Sequence, residues 1–136
     1  MNLAAVMDEV ATAASVLTKL NRFAYPPSSI DPPALIVSYP QSVDFDQTYQ
    51  RGTDQFTDLE ITLVVGRVDD RSTRDQAAAW ASGTGPESVK QVLEAHAWVA
   101  CDDVTIKSVE FEAWELAGVP YLAATFKADV VGPGTE

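Results

Sequence analysis

Residues 55–65 alternate between polar and apolar side chains. Every second position is apolar, at Leu59, Ile61, Leu63 and Val65. Successive side chains of a strand point to opposite faces of a sheet, so this pattern predicts a strand with one buried face and one open face. Such a strand requires partner strands, together with a layer of other elements over its apolar face.

The start of the chain is predicted to form a helix that can cover this apolar face. Apolar residues recur at steps of three and four, at Leu3, Val6, Val10, Ala13, Leu17 and Leu20. This spacing predicts a helix over residues 3–20 with one apolar side. Asn2 precedes the first apolar position and is suited to cap the helix.

Two further helices are predicted in the middle of the chain. Asp69 or Asp70 caps the first, which continues through Trp80. Pro86 suits the first turn of the second, whose apolar stripe extends to His96.

Strands account for the other ordered segments. Residues 34–39 are apolar on both faces, which is typical of a central strand. Residues 41–54 are polar with interleaved aromatics, and we interpret them as the distal part of a long hairpin. A terminal hairpin follows, with a turn at residues 117–118 and fraying expected over residues 132–136.

The first strand of this terminal hairpin changes parity. Val104 and Ile106 share one face, whereas Val109 and Phe111 share the other, so a bulge near Lys107 is needed to point both sets toward the core. The returning strand is predicted to place alternate residues inward, at Leu122, Ala124, Phe126, Ala128 and Val130.

Together these elements predict one α+β domain over residues 1–136. The fold is a mostly antiparallel sheet with an N-terminal helix and two central helices packed on it, and a long protruding β-hairpin. Helices from this chain need to cover only one face of the sheet. The other face is therefore available to a neighbour.

Charge and composition exclude several classes of function. Nine basic and twenty acidic residues give a formal charge of −11, which repels nucleic acids and anionic membranes at long range. The apolar run at 61–65 is far below the roughly 20 residues that span a bilayer. The lone Cys101 excludes an intrachain disulfide and, with no signal peptide, indicates synthesis in a reducing cytosol.

No catalytic, cofactor or metal site is expected. His96 is the only histidine, and its place on a helical stripe favours a packing role. Cys101 has no second cysteine beside it and is interpreted as a small buried hydrophobe. The acidic pairs lack the ligand spacing of a calcium loop and fit turns, caps and solvated surface better; they are Asp44 and Asp46, Asp69 and Asp70, and Asp102 and Asp103.

Surface aromatics and arginines are the candidate contacts with other proteins. Trp114 shares the parity of Glu110 and Glu112, which places it at the sheet rim or at an interface. The arginines either form local ion pairs or pair with acids of an adjacent subunit. The predicted interface residues are Phe45, Tyr49, Arg51, Arg67, Arg71, Arg74 and Trp114.

Several phrases, in their order along the chain, resemble a known family. They are MNLAAVMDEVA, FAYPPSSIDPPALIVSYP, VVGRVDDRSTRDQAAAWASGTGPESVKQVLE and GVPYLAATFKADVVG. The combination is similar to tail-terminator (tail-completion) proteins of long-tailed phages that infect actinobacteria, over nearly the whole chain. The family has no catalytic motif, so no functional residue is carried across.

The resemblance implies a structural subunit of a virion, made in the host cytoplasm and needing no cofactor. It implies a hexameric ring that caps the head-proximal end of the tail tube, ends tube polymerisation and binds the tube protein and the head connector. DNA would pass through the channel without specific binding. We expect acidic residues to line this channel, with candidates Asp44, Asp46, Glu110 and Glu112.

Three other functions remain open from the sequence. The chain could be another head–tail connector or neck subunit, differing in partner and not in chemistry. It could be a small acidic adaptor or inhibitor that binds a basic partner. A metal-dependent hydrolase would have to use the acidic pairs.

Overall fold

The structure is a computed structural model that describes residues 2–17, 21–23, 33–45, 53–116 and 118–133. Three α-helices and six strands occur in these residues. They are α1 (Leu3–Ala13), β1 (Asn21–Phe23), β2 (Ala34–Val37), β3 (Ser42–Asp44), β4 (Thr53–Arg67), α2 (Arg71–Trp80), α3 (Val89–Ala95), β5 (Asp103–Leu116) and β6 (Val119–Pro133).

The described strands form one sheet in the order β1-β2-β4-β6-β5, with β3 also paired to β4. Only β1 and β2 are parallel, and every other pairing is antiparallel. The helices and this mostly antiparallel sheet confirm the predicted α+β fold.

The hydrophobic core lies between the helices and one face of the sheet. The apolar positions of the alternating stretch are all buried there, as predicted: Leu59, Ile61, Leu63 and Val65. Helix residues that pack against them include Val6, Val10, Ala77, Trp80, Val89 and Leu93. The alternation therefore identified the core face of β4 correctly.

Helix α1 is shorter than predicted. The Asn2 side chain accepts a hydrogen bond from the Ala5 N–H at 2.9 Å, which confirms the N-cap. The α-helix ends at Ala13 and tightens into a 3₁₀ turn over Ala14–Val16, where Ser15 and Val16 have low helix propensity. Leu17 still reaches the core, while residues 18–20 lie outside the described part of the chain.

The central helices differ from prediction at one end. Asp70 caps α2, with its carboxylate accepting from the Ser72 N–H at 3.1 Å. Helix α3 begins at Val89 and not at Pro86, because Ser88 caps it by accepting from the Gln91 N–H at 3.2 Å. Pro86 instead lies in the turn closed by the Ser88 N–H and the Gly85 carbonyl.

Three register shifts interrupt the long strands on either side of β6, and one of them lies between Val64 and Gly66 of β4. The predicted bulge at Lys107 is confirmed by a register shift between Ile106 and Ser108. A second shift, between Phe56 and Leu59 of β4, places Asp58 at a positive φ of 54°. The bulges at Lys107 and Asp58 face each other across β6, and Lys107 forms ion pairs with Asp58 and with Asp129, the latter at 3.3 Å.

Two expectations for the terminal hairpin are wrong. Phe111 has the predicted parity but is 53% exposed, because α3 is attached to β5 near Ile106, about 17 Å away along the strand. Of the residues expected to fray, Gly132 and Pro133 instead pair with β4, whereas residues 134–136 lie outside the described part of the chain. Gly118 makes the turn with a φ of 81°, whereas Ala117 lies outside the described residues.

Strand β3 and the first residues of β4 form the base of the predicted hairpin. Ser42 pairs with Thr57, and Asp44 pairs with Gln55. Residues 46–52, which join the two strands, are outside the part of the chain that the structure describes.

Gly66 of β4 lies directly beneath α2, and we expect Gly66→Ala to destabilise the fold. A Cβ at this position would lie 2.6 Å from Oγ1 of the buried Thr73. Overpacking of this kind costs about 1–3 kcal/mol, and the lower entropy of the unfolded chain offsets part of it, leaving a net loss of about 1 kcal/mol. Urea denaturation measures the difference.

Gly83→Ala is the matched control for this substitution. A Cβ at Gly83 meets nothing within 4 Å, so its unfolding midpoint should equal or slightly exceed that of the parent, since only the entropy of the unfolded chain changes. If Gly66→Ala is as stable as Gly83→Ala, the result would contradict the close contact between Gly66 of β4 and Thr73 of α2.

Candidate interaction surfaces

The sheet face opposite the core carries the charged and aromatic residues singled out by the sequence. The register places cross-strand neighbours of β4, β6 and β5 in rows on this face: Glu60, Lys127 and Ser108; Thr62, Thr125 and Glu110; and Arg67, Tyr121 and Trp114. The buried residues of the described helices pack on the other face. We call this surface the open face.

A depression of about 490 Å³ lies on the open face. Its lining includes Glu60, Glu110, Glu112 and Trp114, with the buried Thr62 and Thr125 between them. The two threonine hydroxyls lie 3.3 Å apart and hydrogen-bond to each other. The depression is therefore a mixed surface of carboxylates, hydroxyls and one indole ring.

Trp114 is half-buried beside this depression, on the edge strand β5. Its Nε1–H donates to Glu112 Oε1 at 2.7 Å, which orients both the ring and the carboxylate. The predicted sharing of one face by Trp114 and the two glutamates is correct. Its position fits the predicted rim, and a role at an interface stays a prediction.

The electrostatics of the depression are acidic. Lys127 Nζ lies 3.5 Å from Glu110 Oε1 and partly neutralises that carboxylate. Neither Glu60 nor Glu112 forms an ion pair within the described residues. The open face thus presents two carboxylates that lack a cationic partner in the described chain.

The predicted arginines lie at the corner where β4 meets α2. Arg67 pairs with Asp69 at 3.6 Å, and Arg74 pairs with Asp75 at 2.8 Å. Arg71 is exposed and has no ion pair in the described part of the chain. Local pairing therefore accounts for two of these three arginines and leaves Arg71 as an unpaired cation, close to the 46% exposed Val68.

The hairpin base exposes an aromatic residue. Phe45, next to β3, is 70% exposed. The neighbouring Asp44 stabilises the hairpin itself, because its Oδ2 accepts hydrogen bonds from Thr57 Oγ1 at 2.5 Å and from Ser42 Oγ at 3.3 Å. The other predicted hairpin residues lie outside the described part: Asp46, Tyr49 and Arg51.

The structure does not bring the predicted acidic residues together. Asp44 pairs with Gln55 of β4. Glu112 pairs with Ala123 of β6, which in turn pairs with Val64 of β4. Gln55 and Val64 are about 30 Å apart along the strand. Asp44 and the two β5 glutamates therefore belong to different regions of the molecule.

Glu9 of α1 forms a polar cluster that the sequence did not indicate. Its carboxylate accepts hydrogen bonds from the Val99 N–H at 2.9 Å and the Ala100 N–H at 2.7 Å, and it contacts His96 Nε2 at 2.9 Å. Burial raises the pKa of Glu9, but these hydrogen bonds outweigh it and hold the pKa below its ordinary value.

His96 ends α3 with an extended backbone and is not part of the helical stripe that was predicted. The His96 ring packs edge-on against Trp98, with ring centroids 4.7 Å apart. The Trp98 Nε1–H donates to the Leu93 carbonyl at 3.0 Å. The histidine therefore joins the end of α3 to α1 as a packing residue.

Cys101 is buried, as expected of a small hydrophobe. Burial, together with the nearby carboxylates, raises the pKa of its thiol to about 12, so the nucleophilic thiolate is scarce at neutral pH. Among the described residues, no group of three or more potential ligands is placed to hold a metal ion. None of the described helices is long and apolar enough to cross a membrane.

The chain was compared with known proteins. Neither a known family model nor a curated protein matches it.

Proposed function

We propose that this chain is a structural subunit of a ring, most simply a hexamer, that caps the head-proximal end of a phage tail tube. In this role the ring ends tube polymerisation and joins the tail to the head connector. The proposal starts from the sequence resemblance to tail-terminator proteins and is supported by the surfaces described above.

One observation carries the proposal: the described helices cover only one face of the sheet. The other face offers an acidic depression with a partly exposed tryptophan, and the hairpin base adds an exposed phenylalanine. Large aromatic residues at the surface are enriched where proteins contact each other. These features suit a subunit that is completed by its neighbours.

The charge of the chain fits a passage for DNA. A formal charge of −11 makes a ring of such subunits repel the phosphate backbone, so DNA would slide past without being held. The acids of the hairpin, Asp44 and Asp46, remain candidates for the channel wall. Their negative charge would then only repel the DNA phosphates and would make no specific contact with them.

Ring formation can be measured directly. We expect native mass spectrometry of the purified protein to show a hexamer, and negative-stain microscopy to show a six-fold ring with a central hole. Antibody labelling should place the protein at one end of the tail tube, which separates a terminator from a head-bound connector subunit. A strictly monomeric protein that is absent from phage particles would contradict the proposal.

The acidic depression also favours a second function, that of a small adaptor that binds a basic protein. Carboxylates without a cationic partner are suited to recognise lysine or arginine side chains. Solution mass distinguishes the two functions, because the adaptor is expected to be monomeric until its partner is added.

A further inference from the structure

We propose that the depression on the open face of one subunit receives the start of α2 from the next copy of this chain. Arg71 of the second copy would lie against Glu60 and Glu112 of the first. This inference rests on the proposed ring and names the surfaces that would close it.

Charge complementarity indicates the occupant. Glu60 and Glu112 have no cationic partner among the described residues, whereas Lys127 already engages Glu110. Of the three arginines at the β4–α2 corner, Arg71 alone lacks an anionic partner within the described chain. Asp69 and Asp70 also lie at this corner, so the complementarity is between the Arg71 side chain itself and the two glutamates.

The indole ring of Trp114 beside the depression suits an arginine in particular. The indole N–H of Trp114 is committed to Glu112 at 2.7 Å, which holds the ring and the carboxylate side by side. A planar guanidinium can stack on an indole face and donate to an adjacent carboxylate at the same time. The exposed Val68 beside Arg71 would add apolar contact area.

The two surfaces lie on opposite sides of the sheet. Helix α2 packs on the core face through Thr73, Ala77 and Trp80, so its exposed Arg71 belongs to the helix layer. The depression is on the open face. A contact between two different patches is heterologous, and repeating it produces a closed ring or an open filament, not a two-fold dimer.

This arrangement assigns Glu112 to the subunit contact and not to the channel wall. Asp44, about 30 Å away along β4, is unaffected by this assignment.

Charge reversal tests the contact. We expect Arg71→Glu alone, and Glu112→Arg alone, to weaken ring assembly at least about tenfold in subunit concentration, because each places like charges together. Combining R71E with E112R in one chain should restore most of the assembly, since positions 71 and 112 again carry opposite charges while only the unchanged Glu60 still repels. Native mass spectrometry over a dilution series reads out the assembly.

Asp8→Arg is the matched control for E112R. It makes the same change in net charge at an exposed position of α1, on the other side of the sheet, and should assemble like the parent. Circular dichroism and thermal unfolding of each variant establish that the subunit itself remains folded.

Each outcome of this experiment is decisive. Restoration of the ring by the double reversal supports the contact. If both single variants assemble normally, the inference is wrong while the ring proposal stands. If they assemble normally but fail to bind tails or heads, a basic segment of another protein occupies the depression. If the parent protein never assembles, the ring proposal and this inference fail together.

Discussion

Replacing Glu9 with alanine is expected to lower the free energy of unfolding by about 3 kcal/mol. The carboxylate is the shared acceptor for the Val99 and Ala100 N–H groups and lies against His96 Nε2. Its side chain is only 14% exposed. Hydrogen bonds to a charged group contribute about 1.5–3 kcal/mol each. Without Glu9 the exposed Val99 N–H can bond to water, whereas the part-buried Ala100 N–H would lose its acceptor.

The size of this effect follows from what Glu9 connects. Helix α1 is near the start of the chain, and the segment from His96 to Ala100 leads from α3 into β5. Few other polar contacts between these elements occur in the described chain, so loss of the carboxylate leaves the 96–100 segment without its main acceptor. Glu9→Gln keeps an acceptor oxygen but not the charge, and we expect it to lose about 1–2 kcal/mol.

The stabilisation by Glu9 should also depend on pH. Burial opposes ionisation, but the backbone hydrogen bonds from Ala100 and Val99 and the contact with His96 hold the folded-state pKa below the unfolded value of about 4.5. The unfolded chain therefore binds the proton more readily. The contribution is complete above the unfolded pKa and is lost as the pH falls through the folded pKa.

Urea denaturation of the parent and of Glu9→Gln measures this dependence. The difference in free energy of unfolding between the two proteins should be largest at about pH 7 and should become smaller at about pH 3. Asp8→Asn is the matched control, because Asp8 is the exposed neighbour on the same helix and should change stability little. A gap that stays constant across this range would mean that Glu9 does not act through its charge.

The Glu9 cluster also illustrates what the sequence leaves hidden. Glu9 and its backbone partners are about ninety positions apart in the chain, so no local pattern connects them. A glutamate in a helix is ordinarily interpreted as a solvated residue. Only the packing of α1 against the 96–100 segment makes this one a structural acceptor.

Structural features that follow from residues close together in the sequence were predicted more successfully than the Glu9 cluster. The alternation in β4 defined its core face because burial follows side-chain parity directly. The bulge at Lys107 was predictable for the same reason, since the apolar positions change parity there. The bulge at Asp58 was missed although it leaves the same signal, because the buried Phe56 and Leu59 have opposite parity and only the alternation from Leu59 onward was interpreted.

Side-chain parity predicts the face of the sheet to which a residue points, but it does not predict whether another element covers that residue. Phe111 points to the helix side of the sheet, as predicted, yet it is exposed because the described helices do not extend over it. The depression shows the same limit. The face shared by Glu110, Glu112 and Trp114 was predicted, but its floor of Thr62 and Thr125 depends on a pairing between residues 63 positions apart.

The largest effect on assembly is expected from shortening the hairpin. Deleting residues 46–51 should leave a folded subunit that no longer forms the ring. The core does not depend on this segment in the described structure, because β3 and β4 are already paired up to Asp44 and Gln55. Phe45, at the end of that pairing, is 70% exposed and contributes little to the core.

The deletion is compatible with the remaining backbone. Four residues, Phe45, Gly52, Thr53 and Asp54, would then lie between the paired Asp44 and Gln55, and loops of four or five residues commonly close hairpins. Closing this loop costs at most the terminal pairing of Thr53 and Asp54 with Pro133 and Gly132 of β6. Replacing residues 46–51 with an equally long glycine–serine segment is the companion variant. It keeps the length of the connection and removes only the side chains, including Tyr49 and Arg51.

Assembly and folding must be measured on the same samples. Urea denaturation should give both variants nearly the parent midpoint, while native mass spectrometry should show a monomer in place of the hexamer. If the glycine–serine variant assembles and the deletion does not, hairpin length and not side-chain chemistry mediates the contact. If the deletion unfolds the subunit, these residues belong to the core, because a segment needed only for contact with a neighbour can be removed without loss of stability.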